Sequence, residues 1–294
     1  MKAQIPLTFV IPSYGRQQKL ERAVNSILEQ DVWPVEVLVI DDASPEPLVL
    51  SERTASTGIV RIVRLDANGG AGNARNVGLE ISKTDWVSFL DSDDWLLPDT
   101  MESRWAYLND AEKHCPVPGR TIYGCGWLDV LLSGVLWQER VPLPASTPEE
   151  FFRGCWFAPG SCIILNRAEI MNAAGGSDVS LRRLEDYEWF VRIALANFEL
   201  KIQDMIGVAV ERGNNTNLVA VTNASAYIRH KIASLTKDKS LRKTADAYLF
   251  YERAASAWRE RRLACFLWLI TASLLSRPRI KLSPLPGWRV RRLR

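Results

Sequence analysis

Residues 86–98 read WVSFLDSDDWLLP. The apolar run from Trp86 to Leu90 has the length and composition of a buried strand, and it stops at Asp91, Ser92, Asp93 and Asp94. A second apolar stretch, Trp95 to Leu97, ends at Pro98. Three carboxylates between two hydrophobic segments repel one another unless a positive charge lies among them. Outward from this stretch, the first hundred residues alternate strand and helix. Residues 7–11 read as a buried strand stopped by Pro12, and Leu20, Val24, Ile27 and Leu28 recur at helical spacing within 17–30. Residues 37–40 form a second strand ending in Asp41 and Asp42. Residues 60–65 form a third, followed by the loop 68–72 and a helix to about Ile81. This order predicts an α/β fold with a parallel, doubly wound sheet and right-handed crossovers. Pro12-Ser13-Tyr14, Asp41-Asp42 and Asp91-Ser92-Asp93 then all fall at carboxyl ends of strands, on the one edge where open α/β sheets bind ligands.

Further along, the pattern predicts a helix from Pro98 to about Lys113, a hairpin over 121–136 and a strand over 161–165. Thr147-Pro148-Glu149-Glu150 reads as a helix start, with a threonine cap, proline in the first turn and glutamate three residues on. Another helix opens near Glu185 and runs to about Asn197. Beyond Val221 the pattern is helical until Pro278, Pro284 and Pro286.

With 294 residues, 47% hydrophobic and 24% charged, the chain has the composition of a globular protein. Its net charge of +3 conceals a split. Residues 1–228 carry 20 Lys/Arg against 30 Asp/Glu, a balance of −10, and residues 229–294 carry 17 against 4, a balance of +13. A basic tail on an acidic body points to an anionic surface or partner for the tail. Five cysteines, odd in number and without a C-x-x-C pair, indicate neither a disulfide framework nor a zinc site, so a reducing compartment is expected. His114 and His230 read as surface residues. The run 7–11 is too short for a signal peptide, and the longest apolar run, 263–275, falls short of the roughly 20 residues that span a bilayer.

The acidic motif has two readings. Asp91, Asp93 and Asp94 could hold Mg²⁺ or Mn²⁺ against a phosphate-bearing ligand, or they could cap the helix that follows Pro98. An EF-hand does not fit, because Leu96 stands where the loop needs glycine and Pro98 interrupts it. The segment NGGAGNARN (68–76) is either a phosphate cradle at a helix N-terminus or a tight glycine turn, with Arg75 as a fixed positive charge beside it. Glu185 and Asp186, in the first turn of a helix, are either dipole partners or catalytic groups. Glu188 and Arg192 read as a surface i,i+4 pair.

Taken together, VIPSYGR (10–16), VLVIDDAS (37–44), NGGAGNARNVGL (68–79), FLDSDD (89–94) and LEDYEWFVRIA (184–194) resemble the family 2 inverting glycosyltransferases of GT-A fold, in order and spacing. The resemblance implies a Rossmann-like, mostly parallel sheet flanked by helices. It implies a catalytic domain over 1–222, with a nucleotide-binding half to about 98 and an acceptor-binding half over about 99–222, then a helical basic extension over 223–294. Pro12, Ser13, Tyr14 and Asp42 would line the nucleotide, and Arg75 would sit by the donor. Asp91 and Asp93 would form the family's D-x-D motif, Asp91 near the ribose and Asp93 on the metal, Mn²⁺ or Mg²⁺. Asp186 would be the catalytic base, with Glu185 supporting it or shaping the acceptor site. One departure is the absence of histidine from 210–216, where the family often has one.

The implied reaction moves a sugar, with inversion, from a nucleotide-diphosphate sugar to a hydroxyl of a glycan or lipid-linked acceptor, in bacterial surface polysaccharide or lipopolysaccharide synthesis. A UDP-sugar is the expected donor, since uridine is the family's commonest base. Rival readings are a polyprenyl-phosphate sugar synthase and a non-catalytic sugar-nucleotide or carbohydrate-binding module. In the tail, RERR (259–262) precedes the apolar run, and Arg277, Arg279, Lys281, Arg289, Arg291, Arg292 and Arg294 follow it. This suits peripheral contact with an anionic membrane from the cytoplasmic side, or a helical cap packed on the catalytic domain. Nucleic acid is not an expected partner, because the tail has little aromatic interleaving beyond Trp288 and the body is acidic.

Overall fold

A computed structural model of the protein describes residues 2–131, 133, 135–156, 160–213, 217–276 and 288–292. Strand β1 (Gln4–Ser13) is followed by helix α1 (Gln17–Leu28), β2 (Trp33–Asp41), the single turn α2 (Glu52–Ala55), β3 (Val60–Arg64), α3 (Ala71–Ile81) and β4 (Trp86–Phe89). β1 pairs in parallel with β2 and β4, and β2 pairs in parallel with β3. Alternate side chains of these strands enter two separate apolar layers, as a strand's two-residue period requires. Phe9, Ile11, Val37 and Val39 pack with Leu20, Val24 and Ile27 of α1 on one face. Val10, Leu38 and Ile40 pack with Ala74 and Leu79 of α3 on the other. α3 lies so close to β1 that a Cβ at Gly78 would collide with the Val10 side chain. The sheet is therefore doubly wound.

Pro12 does not stop β1, which runs on to Ser13 with Pro12 opposite Ile40. The reason lies in the alternation of backbone groups. The carbonyls of Val10 and Ser13 accept from Leu90 and Asp42 respectively, so residues 10 and 12 face β4 while residues 11 and 13 face β2. Pairing with β4 ends at Val10, so the missing N–H of Pro12 falls where there is no strand to bond.

The second half begins with β5 (Trp95–Leu96), α4 (Met101–Glu112), and the antiparallel hairpin of β6 (Thr121–Leu131) and β7 (Leu136–Pro142). Next come α5 (Pro148–Phe152), β8 (Ile163–Asn166), α6 (Arg167–Ala173), α7 (Glu185–Leu195) and β9 (Glu199–Arg212). α5 starts with the capping box read from the sequence, Glu150 closing on Thr147. β8 bridges β4 and β6 antiparallel, and β9 lies parallel to β6 and carries β5. α4 begins at Met101 after Thr100, so the acidic residues 91–94 are not its caps.

The chain then forms α8 (Leu218–Leu235), α9 (Lys239–Arg259), α10 (Leu263–Ser276) and a short strand, β10 (Trp288–Arg292). β10 pairs antiparallel with β7 and extends the sheet to the order β10-β7-β6-β8-β4-β1-β2-β3. The helical pattern of the tail gives no hint of this strand, and Pro278, Pro284 and Pro286 lie outside the described residues. α8 and α9 pack on the body through Ile228, Ile232 and Tyr248 against Phe152, Tyr187 and Val191, with the Tyr187 and Tyr248 rings 4.4 Å apart. Polar contacts reinforce this seam. Lys231 reaches Asp178 at 2.6 Å and Glu188 at 2.8 Å. Glu188 is 1% exposed and also accepts from Arg192 at 2.7 Å, so the pair expected at the surface is buried between α7 and α8. Spacing along a helix fixes which side chains are neighbours and says nothing of what covers them. No helix among the described residues is long and apolar enough to cross a membrane.

Candidate functional site

At the carboxyl edge of β1, β2 and β4 opens a cleft of about 460 Å³ lined by Pro12, Ser13, Tyr14, Asp42, Arg75, Asp91, Asp93 and Glu185. The fold thus brings to one place every site residue that the resemblance implied except Asp186. A second chamber of about 500 Å³ shares Asp91, Asp93, Arg183 and Glu185 with the first and contains Asp186. The site is a two-chamber cleft with these four side chains at the junction.

In the first chamber Tyr14 stands at the rim, 48% exposed, while Ser13 is buried and its hydroxyl has no hydrogen-bond partner among the described residues. A buried hydroxyl without a partner is costly unless a ligand or water satisfies it. Asp42 is buried and its carboxylate accepts from the backbone N–H groups of Gly69 and Gly70 at 2.8 and 2.7 Å. These two amides are therefore engaged by Asp42 and do not cradle a phosphate. Gly70 takes φ +86°, the left-handed conformation that favours glycine, so this segment is the tight-turn reading of the loop. The turn delivers α3, and with it Arg75, to the edge of the cleft.

The positive charges among the carboxylates are arginines. Arg75 donates to Asp91 at 2.6 Å and lies 3.7 Å from Glu185, and Arg16 pairs with Asp93. Arg22 donates to the Asp93 carbonyl at 2.6 Å, its guanidinium 4.0 Å from the centroid of the Trp95 ring. Arg75 pays a desolvation cost in this position, yet Asp91 and Glu185 hold it firmly charged. Burial, and then the charge of Asp91, push the Asp93 carboxyl upward, with Arg16 opposing. Asp94 borders the second chamber only: it is 2% exposed, accepts from Ser161 at 2.6 Å and from the Glu211 backbone at 3.1 Å, and ties the start of β5 to the end of β9. Of the three carboxylates, only Asp91 and Asp93 line both chambers.

Those two define what cation would fit. No three His, Cys, Asp or Glu side chains converge to hold a metal among the described residues. Mg²⁺ or Mn²⁺ would rest on Asp91 and Asp93 and complete its oxygen shell from phosphate and water, the arrangement such hard cations prefer. The donor set fits that use and does not fit a protein-caged ion.

In the second chamber Asp186 is the second residue of α7, which opens at Glu185 after Leu184, held at φ +58°. A left-handed leucine is strained, and such strain is kept where the surroundings demand one backbone course. The Asp186 carboxylate accepts from its neighbour's N–H, Tyr187, at 2.7 Å. Burial pushes its carboxyl upward and the charge of Glu252 adds to this, while the Tyr187 N–H, Arg75 and Cys155 oppose. Burial and Asp186 push Glu185 the same way. Glu252 is raised by burial too, with Tyr248 and Arg259 opposing. No ion pair reaches Asp186 or Glu252 among the described residues at the distances that join Arg75 to Asp91.

Glu252 belongs to α9, as do Tyr248, Ser256 and Arg259 on the same chamber wall. Sequence reasoning missed all four. Their spacing of four, four and three residues places them on one helical face. Arg16 was also missed as a site residue, although it lies within the quoted segment 10–16. His114 and His230 are exposed, as read.

The model for glycosyl transferase family 2 matches residues 8–169, more than half of the chain. An uncharacterized glycosyltransferase of Haemophilus influenzae is 28% identical over 187 residues, 64% of this chain and 61% of that protein. The succinoglycan biosynthesis protein ExoW of Rhizobium meliloti is 29% identical over 230 residues, 72% of this chain and 70% of its own length. The chain thus spans about three-fifths to seven-tenths of the length of these relatives. Among solved structures, S. aureus TarS 1–349 in complex with UDP is similar with a TM-score of 0.62 at 17% identity, covering 95% of this chain and 81% of that one. The likeness is one of fold, GT-A.

Proposed function

The chain belongs to glycosyl transferase family 2, and from its site we propose that it transfers a sugar from a nucleotide-diphosphate sugar to an acceptor hydroxyl with inversion at the anomeric carbon. The observation that carries this reading is the junction of the two chambers at Asp91, Asp93, Arg183 and Glu185, with Asp186 on one side only. The first chamber takes the donor. Ser13 and Asp42 face its nucleoside, Tyr14 closes the rim, and Arg75 and Arg16 turn from Asp91 and Asp93 towards the diphosphate. The second chamber takes the acceptor. Asp186 accepts the proton of the acceptor hydroxyl as that oxygen bonds to the anomeric carbon and the bond to the diphosphate breaks. A base with a raised pKa transfers protons efficiently nearer neutrality than an ordinary aspartate does. Glu185 stands between Asp186 and Arg75 and orients both. When bound between Asp91 and Asp93, Mg²⁺ or Mn²⁺ would neutralise charge on the departing diphosphate. Holding both substrates in line supplies much of the acceleration.

A UDP-sugar is the donor we favour, supported by the TarS structures solved with UDP and UDP-GlcNAc. An acceptor in surface polysaccharide synthesis is supported by the succinoglycan relative and by TarS, described as a poly(ribitol-phosphate) β-N-acetylglucosaminyltransferase. The test is thermal stabilisation by UDP-, GDP- and dTDP-sugars, each with and without Mn²⁺. One nucleotide class should stabilise the protein in the presence of metal, and Asp93→Ala should abolish the metal's contribution. A folded protein that none of them stabilises would exclude the donor site.

A further inference from the structure

α10 carries no charged side chain from Leu263 to Ser276, a composition that usually means burial on all sides. Only one side is buried. Leu269 packs with Leu218, Ala254 and Ala257, and the Ser273 hydroxyl donates to the Ala247 carbonyl at 2.6 Å. At 100° per residue, Leu263, Ala264, Leu267, Trp268, Thr271 and Leu275 fall within one arc of about 140° on the opposite side. Leu263, Leu267, Trp268 and Leu275 are 57, 61, 62 and 78% exposed, and Trp258, at the end of α9, is 58% exposed. A contiguous apolar face of this kind marks an interaction surface.

The shape and charge of the face select its partner. A helix of 14 residues is about 21 Å long and about 10 Å wide, so the face covers on the order of 200 Å², against about 800 Å² per partner in a stable protein complex. Its N-terminal rim holds the exposed Arg259, Arg261 and Arg262. Glu260, the acid among them, is engaged by the Leu218 N–H at 2.6 Å. Two copies meeting through so small a patch would crowd these arginines, whereas an anionic bilayer pairs with them and accepts leucine and tryptophan side chains at its boundary.

We propose that the outward face of α10, with the arginines at its start, docks on an anionic phospholipid surface. Arg259 also lines the second chamber, so docking brings the mouth of that chamber to the lipid. This consequence rests on the acceptor reading above; the docking does not. The test is co-sedimentation of the full chain with phosphatidylcholine vesicles made with and without phosphatidylglycerol, in the absence of donor. The protein should sediment with the anionic vesicles and be released by salt. Leu267→Glu with Trp268→Glu should reduce the bound fraction by about tenfold, and Arg261→Ala with Arg262→Ala should remove the preference for anionic lipid. Both variants should keep the wild-type melting temperature and donor affinity, which are read separately. Wild-type protein that ignores anionic vesicles, vesicle binding that survives the double glutamate substitution, or a dimer that this substitution dissolves would each overturn the proposal.

Discussion

In the donor chamber Asp91 and Asp93 each sit against an arginine, whereas in the acceptor chamber Asp186 and Glu252 share a buried wall with no ion pair at comparable distance among the described residues. The first arrangement sets Arg16 against the rise that burial imposes on Asp93, and stores cationic side chains where a diphosphate arrives. The second destabilises the charged form, which is how a protein turns an aspartate into a stronger base. One strand end and one helix start, nearly a hundred residues apart, thus give the same residue type different partners.

The largest expected effect comes from the unpaired side. Asp186→Asn should lower turnover by about 10²–10⁴-fold while leaving UDP-sugar affinity near wild type. Full activity in this variant would abolish the contrast, since Asp186 would then be another structural acid. On the paired side, Arg75→Ala should cost about 2 kcal/mol of stability by leaving Asp91 and Glu185 facing each other uncompensated, and should weaken donor binding as well. Unchanged melting would mean that Arg75 serves the ligand alone. The smallest effect sharpens the comparison. Asp186 must be ionised to act, so activity falls as pH drops through its raised pKa. Glu252→Gln removes a neighbouring negative charge and lowers that pKa, so the acidic limb of the rate profile should move to lower pH. Movement to higher pH, or none, would show that Glu252 is electrostatically remote.

The two chambers also differ in how much of them could be read from the sequence. Strand periodicity and polar residues at strand ends place Ser13, Asp42 and Asp91 on one edge before any coordinates exist, because a parallel sheet leaves them nowhere else to go. The acceptor wall carries no such constraint. Tyr248, Glu252, Ser256 and Arg259 reach Asp186 only because α9 docks through Tyr248 on Tyr187, a tertiary contact that helix spacing does not encode. Glu188 and Arg192 make the same point: their separation is that of a solvent-exposed pair, yet Lys231 and the packing of α8 bury them. Pro12 misleads in the opposite sense, since a proline ends a strand only where a neighbour needs its N–H.

β10 has a mechanical consequence. β9, on one side of β6, leads into α8, and β10 rests on β7, on the other side. The strands that precede and follow the helices therefore lie about three strand spacings apart, roughly 14 Å. α8–α10 thus fall in the chain between two strands of the same sheet. A lengthened turn between α8 and α9 would add little closure entropy, since each doubling of a loop costs only about 0.6 kcal/mol. Cutting the chain at β10 would leave α10 seated on α9 through Leu269 and the Ser273–Ala247 hydrogen bond, and would leave the cleft wall of α9 in place.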